Sequence, residues 1–169
     1  IVRSFTIGDQ RSFDQDPRFG CCVLAEIGSR ALSPGINDPG TAIDVIGRAV
    51  RLFAEWLRQE LRGDAETDEV SFPNVWVPPL ATADLFDDFF NPIARDGAAL
   101  AEIQIKLQKA FWTLHVLGGP PLQETLRHHA ARALAHAEAG LVLDADKRAV
   151  RDLAARLATR PADRLPGGG

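Results

Sequence analysis

The chain has 169 residues, 46% of them apolar and 25% charged, with a net charge of −4 and a pI near 5.5. That size suits one folded domain, and the acidic balance excludes the basic surface of a nucleic-acid binder. Arginines are spread along the chain among Asp and Glu, so no polybasic membrane patch is read from it, and no run of about 18 apolar residues or signal peptide is present.

Val2, Phe5 and Ile7 alternate and predict a short strand over 2–7. Asp16-Pro17 predicts a helix start, with Asp as N-cap and Pro at the first helical position. Phe19, Val23, Ile27 and Arg30 form its expected stripe, with Leu24 and Ala31 beside it, up to a stop at Ser33-Pro34. Cys21 and Cys22 are adjacent and read as small buried apolar residues rather than a redox pair. The run Arg30 to Thr41 holds two prolines and two glycines and reads as a stiff loop between helices. Asp38-Pro39 then repeats the opening device. Ile43, Ile46, Val50, Phe53 and Leu57 recur at helical spacing to about Arg62.

Residues 63–69 read as a polar surface loop, and the prolines after Asn74 suggest an extended edge over 74–77. Thr82 begins a short helix carrying Leu85, Phe86, Phe89 and Phe90, expected to break near Asn91-Pro92. Leu100, Ile103, Leu107, Ala110, Leu114 and Leu117 share the next helix face, while Ile105, Trp112 and Val116 lie off it. A helix apolar on more than one face belongs at the centre of a bundle. Gly118-Gly119-Pro120-Pro121 should end it through a left-handed glycine. Two Ala-rich amphipathic helices follow, 122–139 and 145–158, and 161–169 reads as a disordered tail. The fold class is mostly α: an irregular bundle of five or six helices with at most minor short strands, and residues 1–160 a single helical domain. With no Met, the chain reads as beginning inside a longer product.

Phe5-Thr-Ile-Gly, Arg11-Ser, Gln15-Asp16, Phe19-Gly20 and the Arg30-to-Ala42 run together resemble the bacterial membrane-protein family called domain of unknown function 2254. The likeness is specific over residues 5–42 and weaker to about residue 117. It departs from the family at Gly40, where a bulky residue is expected. The resemblance implies several transmembrane helices ahead of a soluble portion, of which this chain would be the later part, and no assigned activity.

Arg11, Gln15, Asp16, Arg30, Ser33, Asn37, Asp38 and Thr41 form the strongest constellation. Helix N-termini at Asp16-Pro17 and Asp38-Pro39 present free N–H groups, and the arginines add charge for a phosphate or carboxylate ligand. The bland account is that both aspartates cap those helices and pair with the arginines. The acids at 66–69 and 87–88 read as solvated faces. His129 and His136 share a helix side, and Glu124 with His128 has metal-chelating spacing, but the two pairs diverge; neither a metal nor a cofactor is expected.

The first reading is therefore a non-enzymatic soluble domain of a multi-span bacterial membrane protein, serving assembly or small-ligand and anion sensing. Its own transmembrane helices are the expected partner, with a second copy of the chain as another. Absence of any need for an oxidising compartment points to the cytoplasmic side of the cell membrane. The alternative is an enzyme acting on a phosphorylated or carboxylated small molecule through Arg11, Asp16, Asn37 and Asp38.

Overall fold

Proline and aspartate open the first helices as their chemistry requires, because a helix start leaves its first N–H groups unpaired and Pro has none to lose. In the computed structural model, which describes residues 16–62 and 80–159, six helices result. They are α1 Pro17–Ala31, α2 Pro39–Arg62, α3 Thr82–Asp96, α4 Ala101–Leu117, α5 Pro120–Gly140 and α6 Asp144–Ala158. No strand occurs among the described residues. The strands expected at 2–7 and 74–77, the loop at 63–69 and the tail at 161–169 lie outside them.

α4 is the hub. It packs against α2, α3, α5 and α6, while α1 lies on α2 and α3, α3 touches α5, and α5 touches α6. Phe53 of α2 meets Phe86, Phe89 and Phe90 of α3, with ring centroids 4.7, 5.9 and 5.7 Å apart. Phe90 then meets Phe111 of α4 edge-on at 4.8 Å. Edge-to-face packing sets the positive ring edge on a negative face and adds to the burial term. Ile103, Leu107 and Leu114 of α4, Leu126 of α5 and Leu157 of α6 complete this core.

Four local expectations change. α1 does not bury the Phe19-Val23-Ile27 stripe: Ile27 is 45% exposed, and Cys21, Ala25, Gly28 and Ala31 face inward instead. Small residues let α1 approach closely. A Cβ on Gly28 would lie 3.0 Å from Ile93 Cδ1 and 3.5 Å from Val45 Cγ1. α3 does not break at Asn91-Pro92 but runs through Pro92 to Asp96. An internal proline costs ~3 kcal/mol or more, and burying Ile93 and Ala94 beyond it offsets much of that. From α4, Gln104 Nε2 donates to the carbonyls of Ala94 and Gly97 at 2.9 and 3.0 Å, which holds the end of α3.

The turn after α4 uses no left-handed glycine, since Gly118 and Gly119 have φ of −102° and −76°. Glycine serves there by leaving room: a Cβ on Gly118 would fall 2.8 Å from Leu122 Cγ. Finally, α4 buries a second face of Gln104, Gln108, Phe111 and His115. Gln108 Nε2 donates to the Ala130 carbonyl at 2.9 Å, tying α4 to α5.

Candidate functional site

The Ser33-to-Thr41 loop is closed by its own hydrogen bonds. Ser33 O accepts from the N–H groups of Ile36 and Asn37 at 3.0 and 2.8 Å, and Ala31 O accepts from Asp38 N at 2.8 Å. Asn37 has φ of 48°, a left-handed conformation that Asn tolerates better than most residues because its short side chain bonds locally. This places Asp38 at the start of α2, where its Oδ1 accepts from Thr41 N–H at 3.0 Å and its Oδ2 from the Thr41 hydroxyl. The hydroxyl bond chiefly, then the backbone N–H of Thr41, holds the Asp38 carboxyl below the usual carboxylate range. Ser33 Oγ donates to the Arg30 carbonyl at 2.7 Å, and Arg30, Asn37, Asp38 and Thr41 are exposed.

Of the expected site residues, the six that are described do not all meet at one place. Asp16 caps α1, its Oδ1 accepting from Phe19 N–H at 3.0 Å. Asp38 lies beyond the other end of that 15-residue helix, so the two N-termini are separated by roughly 22 Å of helix axis. Arg11 and Gln15 lie outside the described residues. Arg30, Ser33, Asn37, Asp38 and Thr41 do share one loop, but each aspartate already occupies the donors an anion would use.

A polar cleft that the sequence reading passed over lies between α1, α3 and α5. Its volume is about 310 Å³, and Cys22, Asp87, Asp88, Arg95, Arg132 and His136 are among its walls. Arg18 of α1 locks its rim: Nε and Nη2 grip the two Asp88 carboxylate oxygens at 2.7 and 3.0 Å, and Nη1 reaches Asp84 at 3.1 Å. A forked guanidinium on one carboxylate fixes orientation as well as charge. Arg95 pairs with Asp96 at 2.7 Å, so much of the cleft's charge is spent internally.

Behind the cleft, His129 is 3% exposed among Phe86, Phe90 and Phe111. Its Nε2 stands 3.7 Å from Asp87 Oδ1, too far for a hydrogen bond. Burial outweighs the attraction of Asp87 and pushes the imidazole down to about 4, so His129 is neutral near pH 7. Cys21 is buried and its thiol is pushed up to about 11, mainly by that burial, as suits a packing residue rather than a nucleophile. No disulfide joins the two cysteines among the described residues. No cluster of three or more His, Cys, Asp or Glu placed for a metal occurs among the described residues.

A second feature is an apolar groove of about 420 Å³ between α1, α2 and α3. Pro17, Val23, Leu24, Leu52, Trp56 and Leu85 line it, over a floor that includes Phe53 and Cys21. The signal for it was present in sequence as Gly20 and Cys21, small residues one turn from Leu24, but it shows only once α2 is laid alongside.

A family model described as a predicted membrane protein (DUF2254) matches residues 1–113. An uncharacterized protein of Mycobacterium bovis and two from strains of Mycobacterium tuberculosis are each 35% identical over 77 residues. The match covers 46% of this chain and 15% of each relative's length. No solved structure matches the chain significantly, and no described helix is long and apolar enough to cross a membrane.

Proposed function

The chain belongs to the DUF2254 family of predicted membrane proteins, and from that premise we propose that its helices form a non-enzymatic assembly module of a multi-span membrane protein. In this reading the module stands on the cytoplasmic side and its partner is the protein's own membrane part. The observation that carries the reading is the groove between α1, α2 and α3, walled by Val23, Leu24, Leu52 and Trp56. Leu52 is 49% exposed there. Contiguous apolar surface of this kind is costly in water unless something covers it. A groove with so few polar groups suits an apolar helix better than a charged metabolite.

Assembly is favoured over anion sensing because the Asp16 and Asp38 carboxylates fill the helix N-termini. It is favoured over catalysis because the Asp16 and Asp38 pair proposed for an enzyme is divided by the length of α1.

The test introduces Leu52→Asp into the full-length protein and into this 169-residue chain. The exposed position should leave the melting temperature of the short chain unchanged, while the full-length protein loses its native elution volume in detergent and gains protease sensitivity. Unchanged assembly of the full-length variant would end the reading. Self-association of the short chain that disappears with Leu52→Asp would make a second copy the occupant instead.

A further inference from the structure

The chain is acidic overall, yet one face is not. Arg48 and Arg51 of α2 and Lys106 of α4 gather around Gly47. A Cβ built on Gly47 would lie 3.8 Å from both Arg51 Nη1 and Lys106 Nζ, so the two cations flank one bare stretch of backbone. Asp44 is drawn into this group and accepts from Arg48 Nε at 2.7 Å. Its carboxyl is held below the usual range by that bond first, with Arg51 and Lys106 contributing. Arg48 is thereby committed; Arg51 and Lys106 form no salt bridge among the described residues, and Lys109 follows on the same side of α4.

Beyond this cluster the α2–α4 seam opens into a trough of about 680 Å³, with Arg51, Glu55 and Arg58 on one wall and Trp112, Val116 and Leu117 on the other. Val116 is 47% exposed. α2 and α4 run in the same direction here, since Gly47 lies beside Lys106 and the following turns of both helices line the trough. One face thus carries cations at one end and a tryptophan with aliphatic side chains beside them. Cations that meet phosphates, next to an amphipathic ring and shallow apolar groups, are what an interfacial membrane contact needs.

We propose that the α2–α4 face rests on an anionic lipid surface, with a headgroup phosphate held between Arg51 and Lys106 and the Trp112–Val116 edge set against the acyl boundary. This goes beyond the assembly role, using another side of α2 and another partner. The charge complementarity is local: Arg48 pairs with Asp44 and Arg58 with Glu55 at 3.4 Å, which leaves Arg51, Lys106 and Lys109 against Glu102 on a chain whose net charge is −4. The expectation of no polybasic patch was read along the linear sequence, residue after residue. α2 and α4 contribute halves of a patch that lie some fifty residues apart.

The 169-residue chain is mixed with phosphatidylcholine vesicles, with and without phosphatidylglycerol, and co-sedimented at low and high salt. Binding to the anionic vesicles alone, weakened by salt, is expected. The double variant Arg51→Glu/Lys106→Glu should weaken it by roughly tenfold or more, since each surface cation contributes measurably to anionic-lipid affinity. Arg132→Glu, a charge reversal on exposed α5, should leave it intact, with unchanged circular dichroism in every variant. Equal binding to neutral vesicles, no binding, or equal loss in Arg132→Glu would overturn the proposal. So would binding of inorganic phosphate or monomeric short-chain phosphatidylglycerol without vesicle partition, which would make the cluster a soluble-ligand site.

Discussion

Mild acid should loosen this fold through His129. His129 is 3% exposed, and its ring centroid lies 6.1, 5.9 and 6.0 Å from those of Phe86, Phe90 and Phe111. Burial depresses its imidazole to about 4 from an ordinary 6.5; Asp87 pulls the other way, and His128 and Arg132 add smaller repulsions. The unfolded chain binds a proton near the ordinary value while the folded chain stays neutral. The contribution is therefore fully present above about 6.5 and drains away as pH falls toward 4. The whole shift is worth on the order of 3 kcal/mol, of which roughly 2 kcal/mol should be gone near pH 5. The depressed carboxylates Asp38, Asp44 and Asp96 lose their contributions only below their ordinary 3.8, and Glu138 below its ordinary 4.5, so they do not mask the loss read near pH 5. Urea unfolding at neutral pH and near pH 5, for the wild type and His129→Gln, measures it with the slope as a control for two-state behaviour. The wild type should lose stability, and His129→Gln should lose clearly less. A wild type that is flat, or a variant that falls equally, would refute the assignment.

Two further outcomes test the loop and the hub. Asp38→Asn should leave the melting temperature nearly unchanged, because Asn caps almost as well, whereas Asp38→Ala should lower it by a few degrees in a thermal melt. Leu107→Ala, at a position with no exposed surface, should cost ~2–5 kcal/mol in chemical denaturation through the cavity it leaves; a loss below about half a kcal/mol would make α4 peripheral.

The helices were legible where periodicity and punctuation agreed. Asp16-Pro17 and Asp38-Pro39 start α1 and α2 as their chemistry predicts, and the many-sided apolar pattern of α4 marks the helix with the most neighbours. Errors arose where a local rule met a tertiary one. Pro92 is a helix breaker until Ile93 and Ala94 are buried beyond it. The large residues of α1 look like its inner face until close packing against Ile93 selects Gly28 and Ala25. The polar inner face of α4 was missed because apolar periodicity passes over Gln104 and Gln108, whose amides donate to carbonyls of α3, the residue after it, and α5. Of the candidate site, the loop residues from Arg30 to Thr41 were brought together as a contiguous run must be. The link to Asp16 was not, since sequence nearness says nothing about which end of a helix a residue occupies. The α1–α3–α5 cleft and the α2–α4 patch escaped because each is built from segments far apart in the chain.

The central position of α4 bears on where this protein can be cut. The family match stops at residue 113, in the last turns of α4, one residue short of the fully buried Leu114. A truncation made at that boundary would end inside the core, strip α5 and α6 from Leu107 and Phe111, and leave Gln108 without its carbonyl on Ala130. The segment that the family model matches and the segment that closes the core around α4 are thus different lengths of chain.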